Sequence, residues 1–183
     1  MPQVKTRGKR ARSRMIIMHA AKGLFEEKGI NHVTFNDIAQ RADMCRTTIF
    51  NHFSTINELI LALMEQEVDE LLDYCSRSKD TGSELIIRLM EKVIDDTVNY
   101  PVLAVKLLTD SIITAEERPS IQKVEQLISD NLGDMDEKEK EKRVIMIIGI
   151  YCGLVNHCFI AGKPFDGRRM KRQFLEYAKP YLS

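Results

Sequence analysis

Residues 144–161, VIMIIGIYCGLVNHCFIA, run for eighteen positions without a formal charge. A helix that is apolar on every side must be covered on every side. Two arrangements do that: a membrane span, or a core helix lying between its own subunit and a twin. The stretch is at the short limit for a span, and Asn156 and His157 would be costly in lipid. It is also the only such segment in the chain. A homodimer with no membrane partner is therefore expected. At about 100° per residue, Gly149, Gly153, Asn156 and Ile160 share one face, and Ile147, Tyr151, Leu154 and Cys158 share the opposite one. Two glycines four residues apart let another helix approach closely. The glycine face, with Met170 and Phe174 of the last helix, is expected at the intersubunit seam. The Tyr151 face is expected in the subunit interior. Pattern alone leaves the reverse assignment open.

The rest of the chain reads as helix too. Five prolines, nine glycines and few alternating runs among 183 residues favour an all-α fold of about nine helices. Ile17, Ala20, Ala21, Leu24 and Phe25 make one apolar stripe in a first helix from about Ser13 to Lys28, stopped by Gly29. Thr34 with Asp37 resembles a capping box and starts a second helix. Thr55 and Glu58 form a T-x-x-E box before a long fourth helix, about 56–78. Ser83 is expected to cap a fifth, Pro101 to open a sixth and Pro119 a seventh. The run DEKEKEKR, 136–143, opens the eighth, and Gly162 and Pro164 stop it. Met170, Phe174, Tyr177 and Ala178 give the ninth one apolar face. These elements divide into residues 1–55, a basic arm with a three-helix helix-turn-helix domain, and residues 56–183, a helical body for ligand binding and dimerisation.

The third helix is the stretch CRTTIFNHF, 45–53. Ile49 and Phe53 lie one turn apart and sink one side into a core, so the polar groups project together. Two short helices joined by a three-residue turn are a helix-turn-helix, whose second helix enters the major groove of double-stranded DNA. Arg46 can reach a phosphate or the O6/N7 edge of guanine, and Asn51 can pair with adenine. Thr47 and Thr48 can touch a thymine methyl or a phosphate. His52, Thr34 and the amides at the start of the second helix suit phosphate oxygens.

Charge supports this. Residues 1–55 carry ten Lys/Arg against four Asp/Glu, although the whole chain has 27 of each. Six of the ten precede Met15: Lys5, Arg7, Lys9, Arg10, Arg12 and Arg14. This arm could track the DNA backbone or an adjacent minor groove, and residues 1–11 are expected to be a free tail. No zinc-ligand spacing, phosphate loop or nucleophile elbow occurs. His157 and Cys158 are adjacent in sequence but diverge by about 100° on a helix. Neither an enzyme nor a metal or other cofactor is expected. Four cysteines without a CxxC pair fit a cytoplasmic protein with reduced thiols.

Residues 13–64 resemble the N-terminal domain of TetR-family transcriptional regulators, through AAKGLFEEKGINHVTFNDIAQRADM, TTIFNHF and NELI. The resemblance implies a homodimer that binds a palindromic operator and leaves it when a small molecule enters the body. The chain departs from the family pattern at four places. Cys45 stands where Ser or Thr is common, and Thr47 where a small residue is usual. Phe50 occupies the place of a tyrosine whose hydroxyl contacts phosphate, and Ile56 that of a frequent lysine. The effector would lie in the body, with Met64, Met90, Tyr100, Tyr151 and Cys158 as candidate contacts. The alternative is a DNA-binding protein of the same fold without a small-molecule ligand, controlled by a protein partner or by oxidation of Cys45.

Overall fold

The computed structural model describes residues 3–113 and 119–182. Among them are nine α-helices and no strand: α1 Gln3–Lys28, α2 Phe35–Arg41, α3 Arg46–Phe50, α4 Ile56–Ser76, α5 Gly82–Asn99, α6 Pro101–Ile113, α7 Pro119–Asn131, α8 Glu137–Ile160 and α9 Gly167–Ala178. The chain divides into two compact units, 1–66 and 67–183. The first eleven residues of α4 belong to the first unit and the rest to the second.

In the first unit α1 packs on α2, and α2 on α3. Ile17, Ala21, Phe25, Ile38, Ile49 and Phe53 are fully buried, so the one-turn spacing of Ile49 and Phe53 does anchor the third helix. Gly29 ends α1 at φ +79°, a conformation open to glycine, with its N–H donating to Phe25 O at 2.9 Å. The expected free tail at 1–11 is instead helix from Gln3. The reason is local: Val, Lys, Arg, Ala and Gln tolerate or favour helix, and no proline interrupts the run after position 2.

Capping follows the sequence with two changes. Thr34 and Asp37 form both arms of a capping box. Thr55 Oγ1 accepts from Glu58 N at 3.0 Å, but Glu58 reaches back to Ser54 N (2.7 Å) rather than to Thr55. Ser83 does not cap α5. Thr81 holds that place without a side-chain bond, and Asn131 Oδ1 at the end of α7 accepts from Gly82 N at 3.0 Å.

In the second unit α5 packs against α6, α7 and α9, while α8 packs against α6, α7 and α9. Leu85, Ile86, Leu89, Met90 and Ile94 of α5 share a core with Val144, Ile147, Leu154 and Val155 of α8. The Tyr151 face of α8 therefore points inward, as expected. Tyr151 Oη lies 2.8 Å from Thr97 Oγ1, and Thr97 donates to Val93 O, so the tyrosine donates to the threonine. Burial pushes the Tyr151 phenol up to about 12.

The opposite face of α8 is open. Gly149, Gly153 and Asn156 are exposed, as are Ile145 and Phe159 (61% each) and Ile160 (75%). A Cβ added at Gly149 or Gly153 would meet nothing within 4 Å. Met170 and Phe174 correct the expectation for the seam. Both are fully buried in their own subunit's core, because the stripe of α9 turns inward with Ala178. They have no surface left for a twin. Tyr177, counted on the same face, is instead exposed.

Candidate nucleic-acid interface

The turn between α2 and α3 is built from backbone bonds. Ala42 closes α2, Asp43 N donates to Gln40 O (3.3 Å) and Met44 N to Ala39 O (3.0 Å). This is the Schellman pattern, which places one residue in the left-handed region. Here that residue is Asp43, at φ +51°. The end of α8 repeats the pattern with Gly162: Gly162 N donates to Phe159 O and Lys163 N to Cys158 O. Cys45 then leads into α3 in extended geometry, with no side-chain cap bond. Its exposed Sγ lies 2.9 Å from Thr48 Oγ1, and that contact, with backbone N–H groups, lowers the thiol pKa.

On α3, Arg46, Thr47, Phe50 and Asn51 are exposed, while Thr48 and His52 are half-buried. Asn51 closes the helix, and its backbone N–H donates to Thr47 O. The Phe50 ring meets Phe35 edge-on, with centroids 4.9 Å apart and planes at 88°. Arg46 carries its guanidinium carbon 5.1 Å from the Phe50 centroid. Phe35 is buried at the start of α2, and its contact with Phe50 joins α2 to α3.

Thr34 sits differently from the expectation. Its N–H and its hydroxyl both donate to the Asp37 carboxylate, which also accepts from Lys28 Nζ at 2.7 Å. These bonds hold the Asp37 carboxyl well below the usual carboxylate range. A phosphate at this helix end would have to displace a carboxylate already there, so Thr34 is a cap rather than an open phosphate donor.

Arg14 was read as part of the arm, and it is partly structural. Its Nη1 donates to His52 O at 3.1 Å, and its guanidinium lies 4.2 Å over the Phe53 ring. A cation thus satisfies a carbonyl near the C-terminal end of α3. The 38-residue separation hides this from any local pattern. Burial first, then the charges of Arg10 and Arg14, lower the His52 pKa. Lys9, Arg10 and Arg12 are exposed on helix, and the side chains of Lys5 and Arg7 lie outside the described ones. A helix about 10–12 Å across does not enter a minor groove about 6 Å wide. In this helical conformation the arm is too wide for the minor groove.

Residues 17–63 match the family of bacterial regulatory proteins described as the tetR family. Over those residues the chain is similar to the TetR family. The family is one of DNA-binding transcription regulators, not of enzymes. The fold agrees over nearly the whole length. A TetR transcription regulator from Haloarcula marismortui superposes with a TM-score of 0.74 at 17% identity, over 94% of this chain and 100% of that one. FadR of Thermus thermophilus, a TetR-family repressor in complex with lauroyl-CoA, gives 0.66 at 17% identity, over 92% and 93%. The multidrug binding protein EbrR, complexed with imidazole, gives 0.61 at 16% identity, over 93% and 89%. A comparison with curated proteins yields no match.

The candidate effector contacts are dispersed. Met64 falls in the first unit; Met90, Tyr100, Tyr151 and Cys158 fall in the second. Met90 and Cys158 are buried, and Tyr100 closes α5. None of the five lines the cleft of about 500 Å³ bounded by Glu70, Asp73, Tyr74, Arg77, Ser78 and Arg88. Polar and charged side chains line that cleft, and its cations are engaged: Arg77 with Asp73, and Arg88 with Asp80 and Tyr74.

Proposed function

We propose that this protein is a homodimeric repressor of the TetR family that binds a palindromic operator and is released from it by a small molecule. The observation that carries the reading is the outward face of α3, where Arg46, Thr47 and Asn51 are exposed on a helix anchored by Ile49 and Phe53. Arg46 and Asn51 read bases, Thr47 and Thr48 touch a thymine methyl or phosphate, and His52 with the exposed cations of α1 contacts the backbone. Phe50, without a hydroxyl, stands among these groups as an apolar member.

Dimerisation is supported by the open face of α8. Ile145, Met146, Phe159 and Ile160 are exposed in one subunit around Gly149, Gly153 and Asn156. Such a face matches the self-complementary seam of a two-fold dimer, and a two-fold protein matches a palindromic site. Ligand release is supported by the fold shared with FadR and EbrR, whose structures hold lauroyl-CoA and imidazole. In this chain the effector enters the helical body, where Tyr151 pairs with Thr97 and packs against the core that holds Met90. The working compartment is the cytoplasm.

The test is selection of genomic fragments by the purified protein, followed by footprinting. The expected result is a palindrome protected in two half-sites one or more helical turns apart. Retention of all fragments alike, at every salt concentration, would refute sequence-specific regulation. A compound screen by melting temperature then identifies the effector, which must weaken operator binding.

A further inference from the structure

We infer that Phe50 determines specificity: its ring, held edge-on by Phe35, fixes the Arg46 guanidinium for the O6/N7 edge of a guanine in each half-site. This rests on the DNA-reading role of α3 proposed above.

Arg46 is the first residue of α3, and Phe50 follows one turn later on the same side. The guanidinium carbon is 5.1 Å from the ring centroid, within the range of cation–π attraction. Among the described residues, that ring contact is the interaction found for the Arg46 side chain; it has no carboxylate partner there. The ring in turn has a packing partner. Phe35, nearly buried at the start of α2, meets it at 88° with 4.9 Å between centroids. Phe50 remains 44% exposed, which leaves ring surface open toward whatever α3 approaches.

An arginine also uses its fork on phosphate, but a phosphate turns its oxygens to several approaches. A bidentate contact to guanine needs the planar fork in one orientation. Contact with a ring that is itself packed favours that orientation before DNA arrives, and so lowers the ordering cost of the contact. A phenyl ring does this without adding a hydroxyl that would compete for a phosphate.

The experiment is binding-site selection followed by affinity measurement on half-site variants. It compares the unaltered protein with Arg46→Lys, Phe50→Leu, Phe50→Met and Phe50→Tyr. The unaltered protein should require guanine at one position of each half-site. Arg46→Lys and Phe50→Leu should both lose that preference, at that same position, by roughly five- to a hundredfold per half-site. Their salt slopes should stay unchanged. Phe50→Tyr, which keeps a π face, should retain the preference. Phe50→Met keeps bulk against Phe35 without a ring and must behave as Phe50→Leu, which guards against a simple packing defect. A preserved guanine preference in the Leu and Met variants overturns the inference. So does a loss at a different position from that of Arg46→Lys, or a uniform loss across all sequences with a flatter salt slope. Selection of a site with no guanine dependence on Arg46 overturns the inference but leaves α3 as a reading helix. Selection of no sequence at all overturns both.

Discussion

Gly153→Leu should raise the stability of one subunit while weakening its pairing. An added Cβ meets nothing within 4 Å in the subunit, so the larger side chain has room there. Glycine inside a helix costs about 1 kcal/mol relative to a good helix former, and that cost is removed. In a two-fold seam the substitution enters twice. Overpacking a close contact costs about 1–3 kcal/mol per site, so the dimer should lose about 2–6 kcal/mol. The dissociation constant should then rise by roughly thirtyfold or more. Phe159→Ala provides a second reading from the opposite direction. With 61% of its surface exposed in the subunit, Phe159 can bury about 1.5 kcal/mol more per copy on pairing. Its removal should weaken the dimer by about 3 kcal/mol, roughly a hundredfold. Sedimentation velocity over a concentration series measures both, with circular dichroism to confirm helix content. A Gly153→Leu protein that dimerises as tightly as the parent would remove the glycine face from the seam.

Three further outcomes are expected. In the free protein burial and the cations Arg10 and Arg14 hold the His52 pKa below its ordinary 6.5, and a phosphate oxygen would favour the imidazolium; operator affinity should therefore rise as pH falls through that region. Anisotropy titrations at matched ionic strength test this, and an equal pH slope in His52→Gln would exclude the contact. Asp43→Gly should stabilise the first unit by about 1 kcal/mol, because Asp43 occupies a left-handed conformation at φ +51° that glycine adopts without penalty; a lower melting temperature would contradict that account. Effector and operator should weaken each other's binding by the same factor, on the order of 1–3 kcal/mol of coupling. Equal effector affinity with and without operator would rule out release by coupling.

The first unit was legible because its constraints are local. The Ile49/Phe53 spacing, the Thr34 box and the Gly29 stop each lie within a few residues, and each appears in the structure. The Tyr151 face of α8 was legible for the same reason. What failed was ownership. The stripe through Met170 and Phe174 shows that a helix face is buried, but not whether its own subunit or a twin covers it, and here its own subunit does. Contacts across long separations were also invisible, as with Arg14 on His52 and Phe53, and Phe35 on Phe50. The reach of α1 back to Gln3 was missed because the apolar stripe begins only at Ile17, and residues 8–16 bury no side chain that would leave a periodic mark.

The chain makes the same helix-ending turn with Asp43 after α2 and with Gly162 after α8. Aspartate and glycine codons differ by one base. The gain available at residue 43 is therefore a single point mutation away in any population that carries this gene. A selection that demands DNA binding from a weakened first unit, such as one carrying Thr34→Ala, should return Asp43→Gly among its earliest suppressors. The turn thus doubles as a reserve from which a lineage can offset damage elsewhere in the reading domain before a second substitution is needed.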